Sequence, residues 1–110
     1  MEKTEIQKKS KTLSGKFGRF KCEKFAKALM KWLIDEGVEG GYLTLKTASS
    51  SRGFIVVDGE KDAISETGKH YGVEVDGIVY DNVFPKGFPR NKWLKTYSAD
   101  VPLKLSQTSF

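Results

Sequence analysis

The chain has 110 residues, enough for one domain, with 19 Lys and Arg against 14 Asp and Glu, a net charge of +5, one cysteine and one histidine. A lone cysteine excludes an internal disulfide, and with a lone histidine it falls short of a structural zinc site's ligand set. The fold must therefore rest on an apolar core; no apolar run nears the ~20 residues of a membrane span, and residues 1–12 lack the apolar stretch of a signal peptide.

Residues 1–15 are polar and lysine-rich and read as a flexible basic leader, with the domain proper at 16–110. Lys3, Lys8, Lys9, Lys11, Lys16, Arg19, Lys21 and Lys24 stand there against Glu2, Glu5 and Glu23. Three readings fit this imbalance: a solvated leader, a nucleic-acid contact, or a face for an acidic protein. Aromatic interleaving of the kind a single-strand binder uses is thin here, so nucleic acid is not the expected partner. Cations near Cys22 would also favour its thiolate.

The first strong helical period runs from Phe20 to Ile34, with Cys22, Phe25, Ala26, Leu29, Met30 and Leu33 on one face. Cys22 opens it, and Asp35-Glu36-Gly37 ends it with Gly37 as C′ residue. Tyr42–Thr47 alternates as a strand, residues 48–53 are turn chemistry, and Phe54–Val57 reads as a second strand. Asp58-Gly59 turns the chain, and Asp62–Thr67 reads as a short helical turn or loop.

Asp76-Gly77 stands between two β-branched and aromatic runs, the pattern of a two-residue hairpin. Val75 then faces Ile78, Val73 faces Tyr80 and Gly72 faces Asp81. Alternation places His70, Gly72 and Glu74 on the face of Val79, Asp81 and Val83, and Asn82 on the other. Asp81 becomes a diagonal neighbour of His70, and Gly72 has no side chain to obstruct the approach. After a loop punctuated by Pro85, Gly87 and Pro89, Arg90–Tyr97 forms a short helix with Trp93, Leu94 and Tyr97 on one face. The tail from Ser98 alternates weakly at Val101, Leu103 and Leu105, as an edge strand or a disordered end would. The order gives an α+β fold: a cysteine-bearing helix packed on a small antiparallel sheet, then a short C-terminal helix.

Each candidate residue also has a bland explanation. Free cysteine is commonly core, a lone histidine commonly structural, and an aspartate beside a strand commonly a turn cap. Trp32 and Trp93 read as core. Position argues otherwise for three of them. A thiol in a helix's first turn meets unpaired N–H groups that lower its pKa and can hold an oxyanion. Cys22, His70 oriented by Asp81, and those N–H groups together make an activated nucleophile that needs no cofactor or metal. Two other readings remain. In one, a metal-independent ribonuclease uses His70 with Lys69 or Arg52 on phosphate. In the other, the protein is a binding module whose Lys8, Lys9 and Lys11 dock an acidic partner.

The segments Phe20-Lys-Cys-Glu-Lys-Phe-Ala-Lys-Ala-Leu29, Gly68-Lys-His-Tyr-Gly-Val-Glu-Val75, Val79-Tyr-Asp-Asn82 and Pro85-Lys-Gly-Phe-Pro-Arg-Asn-Lys-Trp-Leu94 resemble the papain-fold toxin domains. These are C-terminal modules of bacterial polymorphic and contact-dependent toxins, and the resemblance runs from about Phe17 to Tyr97. It implies a minimal papain-like fold, with Cys22 as nucleophile, His70 as base and acid, and Asp81 as orienting residue. It implies a peptidase, deamidase or transglutaminase acting on a target-cell protein, delivered within a larger toxin to the target cytoplasm. A cognate immunity protein is the partner it implies.

Overall fold

The computed structural model describes residues 1–18, 20–47, 55–57, 63–65, 68–99 and 102–110, with the side chains of 56, 57 and 63–65 left aside. In chain order the elements are α1 (Lys3–Lys16), α2 (Cys22–Asp35), β1 (Gly41–Thr47), β2 (Ile55–Val57), β3 (Ala63–Ser65), β4 (Lys69–Val75), β5 (Ile78–Tyr80), β6 (Phe88–Pro89), α3 (Arg90–Thr96), β7 (Tyr97–Ser98) and β8 (Leu103–Ser109).

The hairpin forms in the expected register, with Val73 opposite Tyr80 and Val75 opposite Ile78. Asp76 and Gly77 have φ of 52° and 80°, the two positive values a type I′ turn requires. β5 closes at Tyr80, so Gly72 and Asp81 lie just past the ladder. β4 and β5 sit inside a five-stranded antiparallel sheet of order β6-β5-β4-β1-β8. The tail after Ser98 supplies its edge strand, pairing along the whole of β1. A smaller antiparallel sheet has the order β3-β2-β7.

Alternation along β4 and β1 divides the core between two faces of the larger sheet. On one, Val73, Val75 and Tyr80 pack with Phe25, Ala26, Leu29 and Leu33 of α2 and with Ile6 and Leu13 of α1. On the other, Leu43, Leu45 and Val79 pack with Ile55, Trp93 and Tyr97. Phe25, Leu29 and Leu33 follow the four-residue spacing of a helix face and are wholly buried, each stabilising by about 1.5–3 kcal/mol. α2 ends in a Schellman arrangement: the Val38 N–H donates to the Leu33 carbonyl at 2.9 Å and the Gly37 N–H to the Ile34 carbonyl at 3.0 Å.

Three expectations need correction. The lysine-rich start is not a flexible leader, because residues 3–16 form α1 and bury Ile6, Ser10 and Leu13. These positions, three and four apart, make a narrow stripe that packs on α2, and burial there outweighs the polar composition. The span 62–67 is not helical where it is described, since Ala63–Ser65 pairs with β2; three residues are too few to show a period, and an available sheet edge decides. The Arg90–Tyr97 helix ends at Thr96, and Tyr97 opens β7. The turns expected at 48–53 and at Asp58-Gly59, the strand start at Phe54, and Asp62, Glu66 and Thr67 lie outside the described residues. Among the described residues no helix is long and apolar enough to cross a membrane.

Candidate active site

Cys22 is the first residue of α2, where backbone N–H groups have no partner within the helix. Its side chain is only 6% exposed. Sγ lies 4.0 Å from the Lys69 carbonyl, so the helix start abuts the start of β4 one residue before His70. The thiol borders a cleft of about 310 Å³ whose other walls are Phe20, Glu23, Lys69 and Tyr71.

Behind that cleft, His70 and Asp81 are both completely buried. Nε2 of His70 lies 2.8 Å from Oδ2 of Asp81. The same oxygen accepts the Trp93 indole N–H at 2.7 Å and the Tyr97 hydroxyl. The other carboxylate oxygen accepts the backbone N–H groups of Val83 at 2.9 Å and Phe84 at 2.6 Å. Asp81 thus accepts from Trp93, Tyr97, Val83 and Phe84, four donors that favour its ionised form, and an ionised carboxylate makes Nε2 of His70 the donor. The proton the ring can exchange is therefore the one on Nδ1. That atom is buried and makes no hydrogen bond among the described residues.

The electrostatics follow from this geometry. Burial alone would depress His70, but the hydrogen bond to Asp81 and the nearby Cys22 thiol outweigh it and raise the imidazole from 6.5 to about 9. Burial would raise Asp81, yet the donors from His70, Tyr97 and Trp93 hold it below the ordinary carboxylate value. Tyr97 is driven well above the usual phenol range by burial and by the Asp81 charge. Tyr71, on the cleft wall, rises to about 12 through burial and the Glu23 carboxylate beside it. In this buried imidazolium–carboxylate pair the carboxylate is fully hydrogen-bonded by neutral donors, a condition under which such a pair is tolerated.

The structure therefore gathers Cys22, His70 and Asp81 at the junction of α2, β4 and the end of β5. The residues of the other readings are placed differently. Lys69 is exposed on the cleft wall, while Arg52 lies outside the described residues. Lys8 and Lys9 line a groove between α1 and Trp32, with the Lys9 ammonium 5.9 Å from the Trp32 ring centre. No group of three or more His, Cys, Asp or Glu side chains among the described residues is arranged to hold a metal ion.

Trp93 and Tyr97 escaped the sequence reading. Both looked like core, and both are buried, but their polar tips converge on Asp81. Their four-residue spacing on an amphipathic helix was the available signal. Gly72 also acts differently from expectation: the space beside it is occupied by the Trp93 ring, since a Cβ there would stand 3.0 Å from Trp93 Cζ2 and 2.8 Å from Val79 Cγ1.

A helix-borne cysteine set against a strand-borne histidine, within three helices and a five-stranded antiparallel sheet, is the layout of a small papain-like α+β domain. The sequence model of the papain fold toxin 2 family matches residues 5–98, and the chain belongs to that family. The match includes most of α1 and ends before β8. No curated protein sequence and no solved structure matches the chain. The protein is thus a toxin domain of papain-like fold; such domains are generally paired with immunity proteins and delivered as parts of larger toxins.

Proposed function

We propose that this toxin domain is a thiol-dependent hydrolase of protein amides, with Cys22, His70 and Asp81 as its catalytic set. The observation that carries the reading is Nδ1 of His70: its other nitrogen is committed to Asp81, and the Cys22 thiol is the second polar side chain that interacts with the ring. An imidazole held protonated near neutral pH supports a thiolate beside it.

In this mechanism the thiolate attacks the carbonyl carbon of an amide lying in the cleft. The carbonyl oxygen takes the negative charge and is met by the N–H groups at the start of α2. His70 gives its Nδ1 proton to the departing nitrogen, leaving a thioester on Cys22. Water then attacks the thioester, His70 takes a proton from it through Nδ1, and the acid leaves with the thiolate restored. Asp81 holds Nε2–H throughout and so fixes which nitrogen exchanges protons. A peptide amine and ammonia from glutamine are both leaving groups this sequence of steps accommodates.

The family supports a cognate immunity protein as partner and delivery into a target cell, where the amide substrate resides. Closing the Cys22 cleft is the mode of inhibition the site favours. The ribonuclease reading is less well supported, because it leaves the Cys22 thiol that interacts with His70 without a role. The test is expression of the domain inside susceptible cells. Cys22→Ala should abolish toxicity while leaving the circular dichroism spectrum unchanged; a folded Cys22→Ala protein that stays toxic refutes the proposal.

A further inference from the structure

We propose that Trp93 and Tyr97 are positioning residues: their side-chain donors hold the Asp81 carboxylate at the angle that keeps His70 Nε2 engaged and Nδ1 turned to the thiol. The inference rests on the proposed catalytic set and adds to it a pair of residues that act through Asp81.

The geometry is specific. Trp93 projects from α3, and Tyr97, four residues on, from the first position of β7. Their polar atoms reach the same oxygen of Asp81 that bonds His70. The rings also pack on the imidazole, with centroids 6.0 Å from His70 for Trp93 and 4.5 Å for Tyr97. Meanwhile the Val83 and Phe84 N–H groups fasten the second oxygen from the chain just after Asp81. The carboxylate is thus held from both ends, by its own turn and by α3–β7, with the imidazole on the remaining approach. A carboxylate offers about four lone-pair sites, so five donors saturate it and leave no room for an alternative orientation.

A buried aromatic retained only for packing has no need of its polar tip there. Here the space is prepared for the tip to arrive. β4 carries Gly72 where any Cβ would press on the Trp93 ring. Among the described residues the titratable groups that bear on His70 and Asp81 are Cys22 from α2 and Tyr97 from β7. A change in His70 behaviour on removing either donor is therefore assignable to Asp81.

The experiment uses iodoacetamide as probe and compares Cys22 alkylation at about pH 6 with that at about pH 9.5, where free thiols with a model value of ~8.5 are mostly ionised. Parent, His70→Ala, Trp93→Phe and Tyr97→Phe proteins are measured. Removal of one donor to a charged group should lower the pH 6 to pH 9.5 rate ratio by about tenfold in each Phe variant. A purely structural role would lower both rates together and leave the ratio unchanged, which overturns the inference. If the His70→Ala protein itself keeps the parent ratio, the proposed catalytic pair fails instead, and the two failures are told apart. Should a Phe variant not fold, the parent decides by NMR. The Trp93 indole N–H resonance should move on the titration curve of His70, and an indole resonance indifferent to that titration refutes the coupling.

Discussion

Raising the pH from about 6 to about 9 should remove the stabilisation that one residue, His70, contributes to this domain. His70 has its folded value raised from 6.5 to about 9, mainly by Asp81 and against the cost of burial. A group whose folded value lies above its unfolded value stabilises fully below the unfolded value, and that stabilisation disappears as pH rises through the folded one. The window is therefore 6.5 to 9. At 1.36 kcal/mol per pH unit the contribution is about 3 kcal/mol, a large share of the 5–15 kcal/mol that holds a typical domain together. With a urea m-value of about 1.5 kcal/mol/M, the unfolding midpoint should fall by about 2 M across that window. A Cys22→Ala background removes the thiol, whose unfolded form ionises near ~8.5 and would offset the histidine; buried tyrosines begin only as unfolded phenols ionise near pH 10, so in that background points at pH 6, 7.5 and 9 isolate the histidine. The assay is urea unfolding followed by circular dichroism, with Cys22→Ala as the parent and His70→Gln added to it as the variant. The parent midpoint should decline steeply over the window while the variant stays nearly level. Parallel curves would refute the assignment of a protonated, Asp81-paired His70.

Further consequences concern the partners of that pair. Asp81→Asn turns an all-acceptor hub into a group that must donate, and leaves three buried side-chain donors competing for one carbonyl; about 3–5 kcal/mol should be lost in urea unfolding. Since Asp81 is held below its ordinary value, its contribution is present above about pH 4 and lost as pH falls through the depressed value, so Asp81→Asn and parent should converge in strong acid. Gly72→Ala drives a methyl into Val79 and Trp93 and should cost about 1–3 kcal/mol, read as a lowered melting temperature. Ile6→Ala should cost about 2–5 kcal/mol if α1 belongs to the core, whereas an unchanged melt would restore the leader reading.

Much of this arrangement was legible in the chain because its local rules leave few options. Asp76-Gly77 demands a turn with two positive φ values, and a two-residue turn fixes the register of everything on either side. His70 and Asp81 were brought together by counting outward from that turn. Cys22 was placed by the helical period that begins with it. What escaped depends on distant contacts. The buried stripe of α1 contains a serine between Ile6 and Leu13, and lysines cover the rest, so nothing local distinguishes it from a soluble tail. β3 is three residues long and exists because β2 offers an edge. Trp93 and Tyr97 registered as apolar mass; their N–H and O–H groups acquire a purpose only when α3 docks against the end of β5. Buried aromatics with polar tips, spaced four apart near a strand carboxylate, are the pattern this protein teaches one to look for.

The central claim is that His70, steadied by Asp81, keeps Cys22 reactive at neutral pH, and the direct measurement is the iodoacetamide alkylation rate of Cys22 across pH in parent and His70→Ala proteins. The parent should react well at about pH 6, below the ~8.5 of a free thiol, and the variant about tenfold more slowly there, the two converging in alkali. Equal rates at low pH, or a parent thiol inert throughout, would make Cys22 a packing residue and contradict the mechanism.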